Sequence, residues 1–169
     1  LLGCLVATIG AGGMAFNAQA ATTMDFSNEY NASSIHAEGD AWFIDRVEEL
    51  TDGEVDITLH TGASLGFRSG DHFYAVADNA VQIADSLSGT LGGIDPIFLL
   101  SSLPFLADDV ESAKRLYEIA RPAYAEVFED NNQILLYASP WPASGIWSEE
   151  PVTDMEGLQD LKIRTYDRN

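Results

Sequence analysis

The sequence predicts an α/β fold built on a largely parallel sheet. Three observations carry this. Apolar residues recur at spacings of three and four in some stretches and of two in others. The two kinds of stretch alternate from residue 24 onward, which is the signature of strand–helix–strand units. Hydrophobic residues make up 46% of the 169, enough for a packed core.

The elements follow in order. MDFSNEY (24–30) opens as a short strand and breaks into the polar loop 31–34. Asn31-Ala32-Ser33 there matches a glycosylation sequon, a match that would be chance if the host were a bacterium. HAEGDAWFIDRVEEL is a helix with Ala37, Ala41, Ile44 and Val47 as its buried stripe, ended by Thr51-Asp52-Gly53. EVDITLH switches to period two, with Val55, Ile57 and Leu59 on one face. GASLGFRSGD is a loop. A helix from about Asp71 to Asn79 carries Phe73, Val76, Ala77 and Ala80, and VQIAD is a short strand. SLSGTLGGIDP reads as a loop, and IFLLSSLPFLA as an apolar run broken at Pro104. The longest helical pattern begins near Asp108, with Val110, Ala113, Leu116, Ala120, Tyr124, Val127 and Phe128 on one face. Pro122 is expected to kink or split it. QILLYAS and GIWSEEPV read as extended, Thr153 and Glu156 as a capping box on a short helix, and LKIRTY as a final strand.

Charge narrows the function. The chain carries 27 acidic and 8 basic residues, a formal net charge of -19. Nucleic acid needs a basic face, so it is excluded as a partner. The opening LLGCLVATIGAGGMAF is apolar and uncharged and is followed by Ala18-Gln19-Ala20, an export signal with a cleavage site after Ala20. A membrane anchor is the competing reading, but the run is short and glycine-rich for a span. Cys4 lies too near the start of the apolar run for a lipoprotein box. Cleavage would remove it, leaving no disulfide or thiol chemistry. The Leu at position 1 and the shortened signal suggest a fragment at both ends.

Few motifs point to catalysis. Gly62-Ala63-Ser64-Leu65-Gly66 matches G-x-S-x-G after a strand, which in an α/β-hydrolase would expose Ser64 as nucleophile. Against it, loop residues follow where a helix should start, and the only later histidine is His72. A glycine-rich turn is the plainer reading. His36, His60 and His72 lack metal-ligand spacing, no calcium loop is present, and neither a P-loop nor a dinucleotide fingerprint appears, so no cofactor is expected.

The closing stretch is different. Lys162, Arg164 and Arg168 are three of the eight cations. On a strand, Lys162, Arg164 and Tyr166 share a face. Arg164 falls toward the strand's C-terminal end, where open α/β sheets place ligands. A guanidinium there can hold a carboxylate with two parallel bonds. The same spacing also fits a solvated charge run.

Taken in order, the stretches RVEELTDG before EVDITLH, the GASLG turn, VQIAD, Ser102-Leu103-Pro104-Phe105-Leu106 and GLQDLKIRTYD resemble the solute-binding proteins of tripartite ATP-independent periplasmic (TRAP) transporters, the DctP-like family. The resemblance covers nearly everything after residue 24. It implies a two-lobed periplasmic-binding-protein fold, type II-like, with lobe I over 21–145 and the crossover and start of lobe II over 146–169, after a partial signal peptide at 1–20. It implies no catalysis but capture of a small organic acid in the periplasm and delivery to membrane permease subunits; use in sensing is the variant reading. Arg164 matches the family's carboxylate anchor, with Lys162-Ile163-Arg164 intact, although the preceding glycine sits earlier than in the family pattern. The resemblance also makes GASLG an ordinary turn. Glu29, in the loop after the first strand, would meet a ligand amine or hydroxyl. Ser88 follows the VQIAD strand in another ligand-facing region. Trp141 and Trp147 flank the crossover, where indole rings can stack on a ligand or pack the hinge.

Overall fold

A computed structural model describes residues 21–103, 106–142 and 147–164. The export signal, the Pro104 break, Tyr166 and the start of GIWSEEPV lie outside the described residues. The described chain runs β1 (Thr22–Asn28), α1 (Ile35–Leu50), β2 (Val55–His60), α2 (Ser69–Ala77), β3 (Ile83–Asp85), two 3-10 turns (Ser88–Gly93 and Pro96–Ser102), α3 (Val110–Glu129) and a last 3-10 turn (Glu156–Leu158). The three strands form one parallel sheet in the order β2-β1-β3. The expected α/β class is therefore observed, with the first strand in the middle.

Alternation along β1 decides which helix covers which face. Phe26 and Asn28 point one way, to α1: Phe26 meets Phe43 edge-on at 6.3 Å, and the Asn28 amide donates to Asp40. Ser27 points the other way and pairs with His72 of α2 at 3.0 Å. Helices thus lie on both faces, as parallel sheets require. Ile57, beside Met24 in register, is buried on β2, as its period of two predicts. Ser34 caps α1 by accepting from Ala37 N. Thr51 closes it, with Asp52 and Gly53 at positive φ.

A second core lies beyond α2, where Phe73, Leu91, Phe98, Ala120 and Tyr124 bury together. Phe98 stacks on Tyr124 at 5.6 Å and 9°, and Phe128 closes on both Phe98 and Phe73. The two 3-10 turns meet at Gly92, where an added Cβ would fall 2.3 Å from Leu99 Cδ2. The residue after α3 turns back, and the segment 133–142 passes from this core, through Leu135, to the α1 side of the sheet, where Tyr137 meets Phe43 at 5.5 Å.

Several expectations are corrected. Pro122 lies inside an unbroken α3. It is solvent-exposed, so the carbonyl it leaves without a partner faces water. α2 starts at Ser69, because the Asp71 carboxylate accepts from Arg68 N at 3.2 Å and so belongs to the first turn rather than opening it. The glycine-rich stretch after β3 and the apolar run after it form 3-10 turns, the second capped by Asp95 onto Ile97 N. The last turn is entered from Met155 with no side-chain cap, so the Thr153–Glu156 box does not form, and the Asp154 carboxylate accepts from Gly157 N at 2.9 Å. QILLYAS, the described part of GIWSEEPV, and 161–164 form no strand among the described residues, and the second of them bends at Glu149 and Glu150. Period two selects a conformation, whereas a strand also needs a neighbour to supply the ladder.

Candidate functional site

The C-terminal ends of β1 and β3 and the N-terminal ends of α1 and α2 converge, and polar side chains collect there. Asn28, with no exposed surface, is the hub. Its carbonyl oxygen accepts from Tyr30 N at 2.6 Å, and its amide donates to Asp40 at 2.5 Å and to Asp85, its register partner, at 3.4 Å. Tyr137 donates to the other Asp40 oxygen at 3.4 Å. Burial pushes Asp40 up to about 6; the nearby Asp85 charge adds to this, while the Asn28 and Tyr137 hydrogen bonds oppose it. Burial, then the Glu29 charge, raises Asp85 as well. Tyr137 is pushed up to about 12 by burial and by Asp40 and Asp85.

Glu29 leads the outward-facing part of the site. Its Oε1 accepts from the Ser69 hydroxyl, and Ser69 Oγ in turn accepts from Leu87 N at 3.0 Å. Three residues further along α2, His72 bridges Ser27 at 3.0 Å and Ser86 at 3.2 Å. Burial lowers its pKa, so the ring serves as neutral cement between β1 and the loop after β3. The Tyr30 phenol is raised by burial and by the Glu29 and Asp85 charges, with Ser69 beside it. Its ring joins His36 at 5.1 Å and Trp141 at 5.4 Å, and Trp141 covers His36 at 4.2 Å. One end of the sheet thus presents a carboxylate, a phenol, hydroxyls and an aromatic wall. That combination accepts N–H or O–H donors and gives a flat apolar surface on which a small ring can lie.

Of the residues singled out by sequence, Glu29, Ser88 and Trp141 come to this edge. Ser88 opens the 3-10 turn after Leu87 and pairs with Ser101 at 3.1 Å. Trp147 is 96% exposed. Arg164 is exposed, and the three ion pairs among the described residues, Arg46–Glu49, His60–Asp25 and Arg115–Glu111, do not include it. Ser64 is exposed in its turn, where Gly62, Ala63 and Gly66 have positive φ. α2 begins five residues later, and His72 is committed to Ser27 and Ser86, so no nucleophile elbow forms. Among the described residues no group of three or more His, Cys, Asp or Glu could hold a metal ion.

Asn28, Asp40, Ser69, His72 and Asp85 escape a sequence reading. One signal was available: Asp40 lies three residues after Ala37, on the buried stripe of α1, while Ala41 is exposed. A carboxylate on an inward stripe needs partners.

Residues 26–169 match the bacterial extracellular solute-binding protein family 7, DctP. Comparison with curated proteins gives no match. Three solved structures are similar over most of the chain. DctP6 of Bordetella pertussis, an extracytoplasmic solute receptor binding pyroglutamic acid, is 33% identical, with a TM-score of 0.70, over 72% of this chain and 40% of its own. DctP7 of the same organism, also binding pyroglutamic acid, is 30% identical, with a TM-score of 0.74, over 78% and 44%. A TRAP solute-binding protein from an unidentified marine microbe, specific for pyroglutamate, is 30% identical, with a TM-score of 0.70, over 73% and 40%. The chain thus aligns to less than half the length of these relatives.

Proposed function

The chain belongs to the DctP family, family 7 of the bacterial extracellular solute-binding proteins, and on that basis we propose that it is the solute receptor of a TRAP transporter. It captures a small organic acid outside the cytoplasmic membrane and delivers it to the permease subunits, with no bond made or broken. Residues 21–145 form lobe I, and 146–169 carry the crossover and the start of lobe II, behind a signal peptide cleaved after Ala20.

The observation that carries this reading is the convergence of Glu29, Tyr30, Ser69 and Trp141 at the C-terminal end of a parallel sheet, where such folds bind ligands. A carboxylate at this end calls for a ligand that brings a donor, and a wall of rings calls for a flat body. Pyroglutamate, the ligand of the three relatives, has a lactam N–H, a planar ring and one carboxylate. In this reading Glu29 takes the N–H, Trp141 covers the ring, Ser88 and Tyr166 line the cleft, Trp147 closes from the crossover, and Arg164 grips the carboxylate from lobe II. Domain closure buries the acid between the two lobes.

The test is calorimetric titration of the full-length protein with pyroglutamate, alongside succinate, glucuronate and glutamate. Saturable uptake of pyroglutamate supports the assignment. Uptake of glucuronate or succinate in its place keeps the receptor and overturns the ligand. No uptake of any of the four acids overturns the organic-acid reading.

A further inference from the structure

Ser69 is 1% exposed, yet its hydroxyl is fully engaged. Leu87 N–H can only donate, so Ser69 Oγ must accept there, at 3.0 Å. The single hydroxyl proton is then committed to Glu29 Oε1. One side chain of α2 therefore ties the carboxylate after β1 to the backbone after β3, one residue before Ser88. Three residues on, His72 makes a parallel tie between Ser27 and Ser86. Among the described residues the second Glu29 oxygen has no hydrogen-bond partner, which leaves it for a ligand, and Ser69 sets the carboxylate's orientation.

We propose that Ser69 is a positioning residue of the ligand site, holding Glu29 and the Leu87–Ser88 backbone in the one mutual arrangement that receives an N–H donor. The inference rests on Glu29 as a ligand contact. Ser69 touches no ligand itself; it acts through Glu29, so it governs discrimination between donors and non-donors rather than affinity in general.

The probe pair is pyroglutamate and its ring-oxygen analogue, 5-oxotetrahydrofuran-2-carboxylate, which has the same shape and carboxylate but lacks the N–H. Full-length wild type should prefer pyroglutamate by about tenfold or more, the range of a charge-assisted hydrogen bond. Ser69→Ala should cut pyroglutamate affinity by about tenfold while leaving the analogue within about threefold, and so erase the preference. Ser69→Cys, close in size and a weaker donor, should fall between, and stands in if the alanine variant does not fold. In a Glu29→Gln background, Ser69→Ala should bring no further loss of preference. Equal weakening of both ligands would make Ser69 a purely structural residue and overturn the proposal. A wild type that binds both ligands equally would instead overturn Glu29 as the donor's partner, and with it the basis of the inference.

Discussion

Asp40→Asn should stabilise the protein at neutral pH and do nothing in acid. Asp40 is 4% exposed, and its carboxyl is displaced from 3.8 to about 6, chiefly by burial. A carboxyl whose folded value is raised contributes its stability below the unfolded value and loses it as pH rises through the folded one. The displacement, about two pH units, corresponds to about 3 kcal/mol at about 1.4 kcal/mol per unit. Asparagine keeps an oxygen for the Asn28 amide, its own NH2 can donate to the Tyr137 phenol oxygen in place of the bond that Tyr137 donates to Asp40, and it carries no charge to desolvate. The variant should therefore match wild type near pH 4, pull ahead between about pH 4 and 6.5, and lead by up to about 3 kcal/mol at pH 7.5. For a chain of this size that is about 6–12 °C in Tm. Thermal melts of both proteins across the pH series read the difference directly. Taking the difference removes the opposing contribution of His72, whose lowered value costs stability as pH falls below its unfolded range. Parallel Tm curves from pH 4 to 7.5, or a variant less stable at pH 7.5, would refute a desolvated charge at this position.

Three further outcomes are expected. Arg164→Ala in the full-length protein should weaken pyroglutamate binding by about 2–5 kcal/mol, since the bound carboxylate would lose its buried partner; calorimetry with unchanged affinity would remove Arg164 from the site. Gly92→Ala should cost about 1–3 kcal/mol in chemical denaturation, because the new methyl falls 2.7 Å from Leu99 Cγ and 2.3 Å from Cδ2 and the leucine must leave its rotamer. Trp141→Ala should cost about 0.5–1.5 kcal/mol of stability through its lost rings, whereas Trp147→Ala, from a site 96% exposed, should stay within about 0.5 kcal/mol.

The legible part of the sequence was its periodicity. Val55, Ile57 and Leu59 announce β2, and the α3 stripe from Ala113 to Phe128 announces a helix facing one core, because burial repeats with the backbone. What periodicity does not register is a polar residue on the buried stripe. Asp40, His72 and Ser69 look like solvent-facing positions until partners from other elements are in place, and Asn28 gains its three contacts only when residues 30, 40 and 85 arrive together. Local rules erred where a neighbour decides the outcome. Pro122 does not split α3, and its exposed position leaves the freed carbonyl to water. Residues 133–139 and 161–164 have strand composition but no strand beside them among the described residues. Of the candidate site, Glu29, Ser88 and Trp141 were singled out through resemblance, while the hydrogen bonds that hold Glu29 are visible only in three dimensions.

The order β2-β1-β3 has a consequence for biosynthesis. Of these three strands, the first to be made is the one that needs partners on both flanks, and its second flank waits until Asp85 has been made. Until then the strand Met24 to Asn28 keeps an edge of open backbone donors and acceptors that a stray strand could claim. A delay before residue 83 would lengthen the interval in which that edge stays unpaired.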